Sequence, residues 1–479
     1  MRNIGAGATR LSPRWGAALS ALPEAFRAIE GPAWLVGGAV RDQLLGRATS
    51  DFDIAIEAEP APAAHAAARL ARGHAFPLSE SFGAWRVVAR DHSWQVDLLP
   101  LGGAAIEDDL AKRDFTINAI AQPLAGGDYI DPFEGRADLA ARRLRLVSRT
   151  AFADDPLRSL RLVRLACELD FEPEEATAAA AAEQAEGLER VAAERIFGEL
   201  KRIVSSERAL AGLGLMESLG LGAVVLPELT GMRGVEQSDF HHLDVFDHTH
   251  AVLAEAVALE REPERVFGEQ GDAVRQLLDE PLADELTRGQ ALRFGALFHD
   301  VAKPRTRNVT AEGRVTFLGH DAIGAEIARE ALGRLRASER LREHVAALAR
   351  HHLRLGFLVH EAPLSRRAIY RYLRACEPVQ VDVTVLSVAD RLATRGAGSE
   401  RAIERHLELA RQLLGDALAW RAERPRPPVR GDELTRTLGL RPGPQLGRLL
   451  AELEELSFAG EISSRDQALE RAREMIGGD

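Results

Sequence analysis

Strand-like runs are confined to one part of this 479-residue chain, residues 31–136, where short apolar runs alternate with glycine turns. Examples are Trp34–Val36, Phe52–Ile54, Trp85–Ala89 and Trp94–Leu98. From about residue 137 onward, Leu, Ala, Glu and Arg recur with helical spacing. This asymmetry predicts an α+β chain in which a mixed β-sheet with helices forms an N-terminal head and mostly α-helical segments follow.

Composition excludes several classes of protein. A net charge of −12 argues against a protein that coats nucleic acid indiscriminately. Cys167 and Cys376 are the only cysteines, which excludes a disulfide framework and a cysteine-based zinc cluster. No stretch approaches the roughly 18 uninterrupted apolar residues of a membrane helix, and residues 1–30 lack the form of a signal peptide. We therefore expect a cytoplasmic protein with no membrane partner.

A basic strip interrupts this acidic chain between residues 142 and 164. It contains Arg142, Arg143, Arg145, Arg149, Arg158, Arg161 and Arg164, opposed only by Asp154 and Asp155. Such a strip can contact RNA phosphates. A solvated helix face has the same pattern, so both interpretations stay open.

Two glycines, Gly37 and Gly38, lie between a strand-like run and a helix-like run. Without side chains, their N–H groups can approach a triphosphate closely, and Arg41 can add a charged contact one turn later. Asp51 and Asp53 lie two apart on a strand-like run, so both carboxylates face one side. Two carboxylates beside a phosphate turn suit two Mg²⁺ ions. Either pattern alone also fits an ordinary turn or a solvent-facing strand.

A further carboxylate, Asp97, lies on another candidate strand within Trp94–Leu99. It is either a third metal-binding carboxylate or an ordinary edge aspartate, and the sequence leaves both open.

Histidine is concentrated between residues 241 and 352. In chain order the block contains Asp247-His248, His299-Asp300, His320-Asp321, His351-His352 and then Ala389-Asp390. Imidazoles and carboxylates that converge from several helices make a divalent metal site with open positions for water or phosphate. A single His-Asp pair is often only a capping contact, but the full series predicts a metal site.

Five motifs follow one another in the first 205 residues. They are Gly37–Asp42, Asp51–Ile54, Arg113–Ala119, Asp155–Arg158 and the segment from Glu194 to Lys201. Together they resemble the class II CCA-adding and poly(A) polymerase family, whose head is a polymerase-β-like nucleotidyltransferase domain. The resemblance implies template-independent addition of CCA to tRNA 3′ ends from CTP and ATP, with Mg²⁺ in the head and no DNA partner.

The same resemblance implies roles for individual residues. Asp51 and Asp53 match the metal-binding aspartates, with Asp97 as the candidate third. The expected nucleotide-binding residues are Gly37, Gly38, Arg41, Arg113, Asp114, Asp155, Arg158, Arg161 and Arg164. Asp155 and Arg158 resemble the base-selecting motif, in which Asp154 replaces the usual Glu. We expect Asp155 and Arg158 to share one face of a helix, although Asp155-Pro156 also fits a helix N-cap with proline at the first position.

The histidine block resembles the HD metal-dependent phosphohydrolase superfamily. The residues that match its ligands are His248, His299, Asp300, His320, His352 (or His351) and Asp390. The resemblance implies phosphatase or cyclic phosphodiesterase activity, with the choice among Mg²⁺, Mn²⁺ and Ni²⁺ open. Residues Gly431–Leu434 and Leu438–Gly447 resemble a tRNA-binding tail, although an ordinary connection between two helices has the same pattern.

These features predict five segments. They are an N-terminal extension (1–30), a nucleotidyltransferase head (31–136), a helical neck and body (137–236), an HD domain (237–395) and a helical tRNA-binding tail (396–479). The nearest alternatives are a poly(A) polymerase and an enzyme restricted to the CC or the A step. A second hypothesis makes HD hydrolysis the main activity with the head as an RNA-binding module, and a third is a non-catalytic RNA-binding scaffold. The oligomeric state stays open.

Overall fold

A computed structural model of the chain describes residues 31–79, 83–237, 243–394 and 399–477. Within it the chain forms two compact units. One unit contains the residues up to Val191 together with Ser218–Leu221, and the other contains Ala192–Glu217 and the chain from Gly222 onward. The predicted extension 1–30 lies outside the described residues.

Six strands form one mixed sheet in the first unit. They are β1 Ala33–Val36, β2 Asp51–Ile56, β3 His74–Ser79, β4 Ala84–Val88, β5 Gln95–Pro100 and β6 Ala121–Pro123, in the order β3-β4-β5-β2-β1-β6. Strands β2 and β5 pair in parallel, and the other neighbours pair antiparallel. The strand-like runs of the sequence all lie in this sheet, so the predicted mixed-sheet head is confirmed.

The two faces of this sheet differ in chemistry because side chains alternate along each strand. On one face Phe52, Ile54 and Ile56 of β2 are buried. Helix α2 (Pro60–Ala71) covers this face, and the ring of its His65 packs edge-on against Trp85 of β4 at 4.8 Å. Asp51 and Asp53 therefore face the opposite side of the sheet from α2.

Helices make up most of the remaining structure. In chain order they are α1 Gly38–Leu44, α2 Pro60–Ala71, α3 Ile106–Leu110, α4 Gly135–Ala141, α5 Ala151–Asp154, α6 Leu157–Leu169, α7 Glu175–Glu183, α8 Ala193–Ser205, α9 Ala209–Ser218, α10 Leu221–Val225, α11 Pro227–Thr230, α12 Val245–Arg261, α13 Glu264–Phe267, α14 Gly271–Leu278, α15 Arg288–Phe298, α16 Lys303–Thr306, α17 His320–Arg334, α18 Glu339–His351, α19 Arg354–Leu358, α20 Arg366–Ala375, α21 Gln380–Ala393, α22 Ser399–Ala422, α23 Gly431–Leu438, α24 Pro444–Ala459 and α25 Arg465–Gly477. The prediction of a mostly helical chain after about residue 137 is confirmed.

Three two-stranded pairs were not predicted. They are β7 Arg143–Leu144 with β8 Glu172–Pro173, β9 Pro281–Ala283 with β10 Leu286–Thr287, and β11 Asn308–Val309 with β12 Val315–Thr316. Strands this short carry too few residues for an alternating pattern to be recognised.

Helix α15 lies in the core of the second unit, because all of its residues from Arg288 to Phe298 except Gln290 are buried. His299 and Asp300 follow its last turn directly, so the core of this unit fixes their positions. Among the described residues, no helix is both long and apolar enough to cross a bilayer.

Candidate functional site

The glycine turn lies against the acidic face of the sheet. Gly37 has a φ of 70°, a left-handed conformation that favours glycine. A Cβ atom at this position would lie 3.1 Å from Oδ2 of Asp53 and 2.7 Å from Nη1 of Arg113. The turn, the carboxylate and the guanidinium therefore form one cluster, and a side chain at residue 37 would disrupt it.

Three carboxylates line the same face of the sheet. Asp53 is directly opposite Asp97 on the parallel strand β5, and Asp51 lies two residues before Asp53. Burial raises the pKa of Asp53, and the charges of Asp97 and Asp51 add to this while Arg113 opposes it. A divalent cation relieves such crowding of negative charge, so these residues fit a divalent metal site. Of the two interpretations of Asp97, the metal-binding one suits this position better.

Arg86 of β4, which the sequence did not single out, holds Asp97 in place. Its Nε donates to Oδ1 of Asp97 at 2.7 Å and its Nη2 donates to Oδ2 at 2.8 Å. Such a bidentate contact fixes the plane of the carboxylate while leaving lone pairs for a metal.

A chain of hydrogen bonds connects the first helix to helix α6. Nη1 of Arg41 donates to Oδ1 of Asn118 at 2.8 Å, and Nδ2 of Asn118 donates to Oδ1 of Asp114 at 2.9 Å. Nε of Arg161 donates to the other oxygen of Asp114, also at 2.8 Å. Arg41, Asp114 and Arg161 were candidate nucleotide-binding residues. Asn118 was missed, although it lies inside the motif Arg113–Ala119.

The charge of Asp114 depends on this chain. Burial opposes its ionisation, but the charge of Arg161 and the hydrogen bonds from Asn118 and Arg161 lower the pKa of Asp114 to about 2. A depressed carboxyl pKa contributes stability above the unfolded value near 3.9, and that contribution is lost as the pH falls towards the folded value.

Replacing Arg161 with methionine should therefore destabilise the head most strongly at neutral pH. We expect a loss of about 2 kcal/mol, because a buried carboxylate loses its charged partner. The loss should shrink as the pH falls from about 4 towards 2, because protonated Asp114 needs no cation. Urea unfolding followed by hydrogen exchange of head peptides measures both effects. A pH-independent loss would contradict the assigned charge state.

Arg158 lies beside the segment that contains Arg113, but the two base-selecting candidates are not arranged as predicted. Nη2 of Arg158 donates to the carbonyl of Lys112 at 2.7 Å, and Nη1 donates to the carbonyl of Ala151 at 3.3 Å. Helix α6 begins only at Leu157, and the carboxylate of Asp155 accepts the N–H of Leu157 at 3.3 Å. The expectation that Asp155 and Arg158 share a helix face is wrong, because Asp155 precedes the helix. Its contact with Leu157 fits the alternative, in which Asp155 caps the start of the helix.

Several arginines of the basic strip pair within the head. Arg143 and Arg145 both contact the buried Asp138, at 2.6 Å and 2.8 Å. Arg164 is buried and donates to Glu168 at 2.7 Å. The strip is therefore not one continuous exposed surface for phosphates. Arg149 is exposed, as is Asp154, the residue in place of the usual Glu.

The predicted HD residues converge in the second unit as two groups of three. One group is His248, His299 and Asp390, and the other is Asp300, His320 and His352. Within each group the candidate ligand atoms lie within 4.8 Å of one another. His248 and Asp390 lie within α12 and α21, and His320 begins α17. His299 and Asp300 follow the end of α15, and His352 follows the end of α18.

Three of the imidazoles have a defined tautomer. Nδ1 of His299, His320 and His352 lies 2.8, 2.6 and 2.7 Å from the backbone carbonyl three residues earlier in the chain. A carbonyl only accepts, so each Nδ1 carries a proton, and Nε2, which is directed inward, is the atom whose lone pair can bind a metal. The two Nε2 atoms of His320 and His352 lie only 3.3 Å apart. Lone pairs that face one another in this way fit a bound cation between them.

Asp300 lies between the two groups. Its Oδ2 is 3.0 Å from Nε2 of His299, and its Oδ1 is 3.3 Å from Nε2 of His320. Nζ of Lys303 contacts Oδ2 at 2.6 Å. Although burial opposes it, the charges of His299 and Lys303 hold the pKa of Asp300 well below its usual range. Asp300 is therefore an anion that can serve both groups at once.

His352 rather than His351 belongs to this cluster. His352 is buried, and burial together with the charge of His299 lowers its pKa to about 4, so the ring is neutral and suited to bind metal. Nδ1 of His351 instead accepts from Nε of Arg354 at 2.9 Å, outside the cluster. His250 and His344 also lie outside it, and His241 and His242 lie outside the described residues.

Family models match three parts of the chain. The poly A polymerase head domain matches residues 33–99 and 86–145, and the HD domain matches residues 245–395. Between them, the model described as "Probable RNA and SrmB- binding site of polymerase A" matches residues 170–232.

Known proteins resemble the chain over almost its full length. The A-adding tRNA nucleotidyltransferase of Deinococcus radiodurans is 37% identical over 91% of this chain and 94% of that protein. The CC-adding tRNA nucleotidyltransferase of Thermus thermophilus is also 37% identical, over 91% of this chain and 92% of that protein. The solved structure of a Thermotoga maritima CCA-adding enzyme complexed with tRNA is 20% identical, with a TM-score of 0.61 over 98% of this chain and 97% of that one, and so shares the fold.

Proposed function

Because the chain belongs to the family of CCA-adding tRNA nucleotidyltransferases and poly(A) polymerases, we propose that it adds CCA to tRNA 3′ ends from CTP and ATP without a template. The observation that carries the proposal is the cluster of Asp51, Asp53 and Asp97 on one sheet face, against the turn at Gly37. Mg²⁺ bound by these carboxylates would activate the 3′ hydroxyl and neutralise the leaving pyrophosphate. We propose the cytoplasm as the place of action.

The other head residues bind and orient the nucleotide in this proposal. N–H groups of Gly37 and Gly38 receive the triphosphate, and Arg113 and Arg41 supply positive charge beside it. Asp114 keeps Asn118 and Arg161 in fixed positions through the hydrogen bonds described above. Rigid donors and acceptors of this kind are what selection of a base without a template requires.

Arg158 is the proposed contact for the Watson–Crick edge of the incoming base, with Asp155 beside it. Arg158→Ala should reduce the ratio of kcat/KM values for the correct and the incorrect nucleotide by about tenfold, because one charged hydrogen-bonding partner is lost. Binding to RNA should change less. Competition between CTP and ATP on defined tRNA ends measures this ratio, and unchanged selectivity would refute the assignment.

A restricted product is the second candidate function. It is favoured by the near-equal identity to an A-adding and a CC-adding relative. Incubation with tRNA transcripts that end before the first C, after CC and after CCA, with CTP and ATP separately and together, distinguishes the possibilities. Complete CCA on the shortest transcript supports our proposal. Extension by CC alone, by A alone or by a long A tract would replace it with the corresponding activity.

We further propose that the helical unit hydrolyses phosphoesters at a centre of two divalent metal ions. His248, His299 and Asp390 would hold one ion, and His320 and His352 the other, with the two oxygens of Asp300 shared between them. Such ions supply a hydroxide nucleophile at neutral pH. We also propose that the chain is divided into head, neck and body, HD domain and tail. In this proposal the tail helices α23 and α24 bind tRNA.

A further inference from the structure

The acidic face of the head sheet continues well beyond its carboxylates. The strand registers align Asp53, Asp97, Arg86 and Phe76 in one row across β2, β5, β4 and β3. Residues paired in this way point to the same side of a sheet. Adjacent strands lie about 4.8 Å apart, so Phe76 is about 10 Å from Asp97 along the row.

The two ends of this face differ in exposure. Towards β1 it is covered, because Ile106 and Leu110 of α3 pack on Val36 and Ala55. Towards β3 it is open: Phe76 is 43% exposed, an unusual value for a phenylalanine in a strand.

A neighbouring row extends this open surface. Val88 of β4 is paired with His74 of β3, which is also exposed. We call the four residues His74, Phe76, Arg86 and Val88 the β3–β4 strip. It combines an aromatic ring, an apolar side chain and a cation, and it borders the carboxylate cluster directly.

The direction from which the attacking hydroxyl approaches the phosphorus indicates which substrate this strip faces. In phosphoryl transfer the attacking and leaving oxygens lie roughly in line on opposite sides of the phosphorus. The turn at Gly37, where the triphosphate is proposed to bind, lies on the β1 side of Asp53. The attacking 3′ hydroxyl must then approach from the β5 side, and the RNA that carries it extends towards the β3–β4 strip.

We propose that the β3–β4 strip binds the last nucleosides of the RNA acceptor, with a base stacked on Phe76. This inference rests on the proposed nucleotide addition and names the position of the acceptor strand. Single-stranded RNA suits such a surface because its unstacked bases pack on aromatic rings and its phosphates pair with cations. Arg86, about a quarter exposed, contacts the strand while it holds Asp97.

Replacement of Phe76 tests the proposal in the full chain. Phe76→Ala should raise the KM for a tRNA transcript lacking its CCA end by about tenfold, because one base loses its stacking partner. The KM for CTP should stay unchanged, and Phe76→Trp should restore the wild-type KM for RNA. The matched control is Leu70→Ala on α2, since Leu70 is 49% exposed on the helix that covers the other face. That control should behave as wild type.

A photochemical measurement locates the contact independently. A transcript with 5-iodocytidine at its 3′ terminus should crosslink to the peptide that contains Phe76. Crosslinking only to other peptides, an unchanged KM for RNA in Phe76→Ala, or equal rises in the KM for RNA and for CTP would each overturn the proposal. If the wild-type chain adds no nucleotide at all, the proposed function fails instead, so the two failures are distinguishable.

Discussion

Asp53→Asn should reduce nucleotide addition at least about 1,000-fold while leaving hydrolysis by the helical unit unchanged. The loss corresponds to several kcal/mol of charge stabilisation that a carboxylate-bound metal supplies in the transition state. Asparagine keeps the size of the side chain but removes its charge, so packing against Gly37 is retained. Addition to a tRNA transcript and hydrolysis of a phosphodiester such as bis(p-nitrophenyl) phosphate should be measured on the same preparation.

Stability distinguishes this loss of catalysis from a loss of folding. Burial and neighbouring carboxylates raise the pKa of Asp53, so its charged form lowers the stability of the folded head at neutral pH. Asp53→Asn should therefore unfold at the same temperature as the wild type or a higher one. Asp91→Asn, in the exposed turn before β5, is the matched control and should retain addition. Loss of both addition and hydrolysis in Asp53→Asn would contradict independent sites.

Periodicity made much of the head predictable. Alternation along β2 placed Asp51 and Asp53 on one face before any strand partner was known, since two successive odd positions of a strand share a side. The same rule placed Phe52 and Ile54 together on the opposite, buried face of the strand. The family resemblance is confirmed by relatives that match over nearly the whole chain.

Contacts between strands and motifs were not predictable in the same way. The pairing of Arg86 with Asp97 depends on the register of β4 against β5, and a shift by one residue would place Arg86 on the other face. Asn118 accepts a hydrogen bond from Arg41, which lies 77 residues earlier in the chain. A local sequence pattern does not show which distant side chains will be in contact. The sequence therefore indicated candidate site residues but not the hydrogen bonds that orient them.

The start of helix α6 shows how local chemistry can overrule a spacing argument. Asp155 and Arg158 have the spacing of one helix face, but the helix begins at Leu157. Proline restricts the preceding residue to extended conformations, and Asp155 accordingly has φ −145° and ψ 98°. The carboxylate of Asp155 thus lies outside the helix, which makes Arg158 the better target for mutagenesis.

The order of histidines indicated the second site without any strand register, because its candidate ligands lie within helices or at their ends. His299 and Asp300 directly follow α15, His320 begins α17 and His352 directly follows α18. The sequence did not distinguish His351 from His352 as the candidate ligand. Adjacent residues on a helix point about 100° apart, so only one of them can face the core, and only the structure shows which.

Asp300→Asn should abolish hydrolysis by the helical unit and remove most of its bound metal, with nucleotide addition continuing at the wild-type rate. One neutral amide cannot replace a carboxylate whose two oxygens serve both ligand groups, so we expect hydrolysis to fall at least about 100-fold. Metal content by mass spectrometry after dialysis and hydrolysis of a phosphodiester measure the two effects together.

Two further variants make this result specific to the ligands. Asp300→Asn leaves the buried Lys303 without its carboxylate, which can destabilise the unit for reasons unrelated to metal. Asp390→Asn removes a ligand of the first group, does not contact Lys303, and should lose hydrolysis and metal in the same way. His250→Ala lies on the same helix as His248, but Nδ1 of His250 is 3.0 Å from the carbonyl of Phe246, so this variant should keep both. Hydrolysis that survives in Asp300→Asn and Asp390→Asn would show that the metal centre is assigned to the wrong residues.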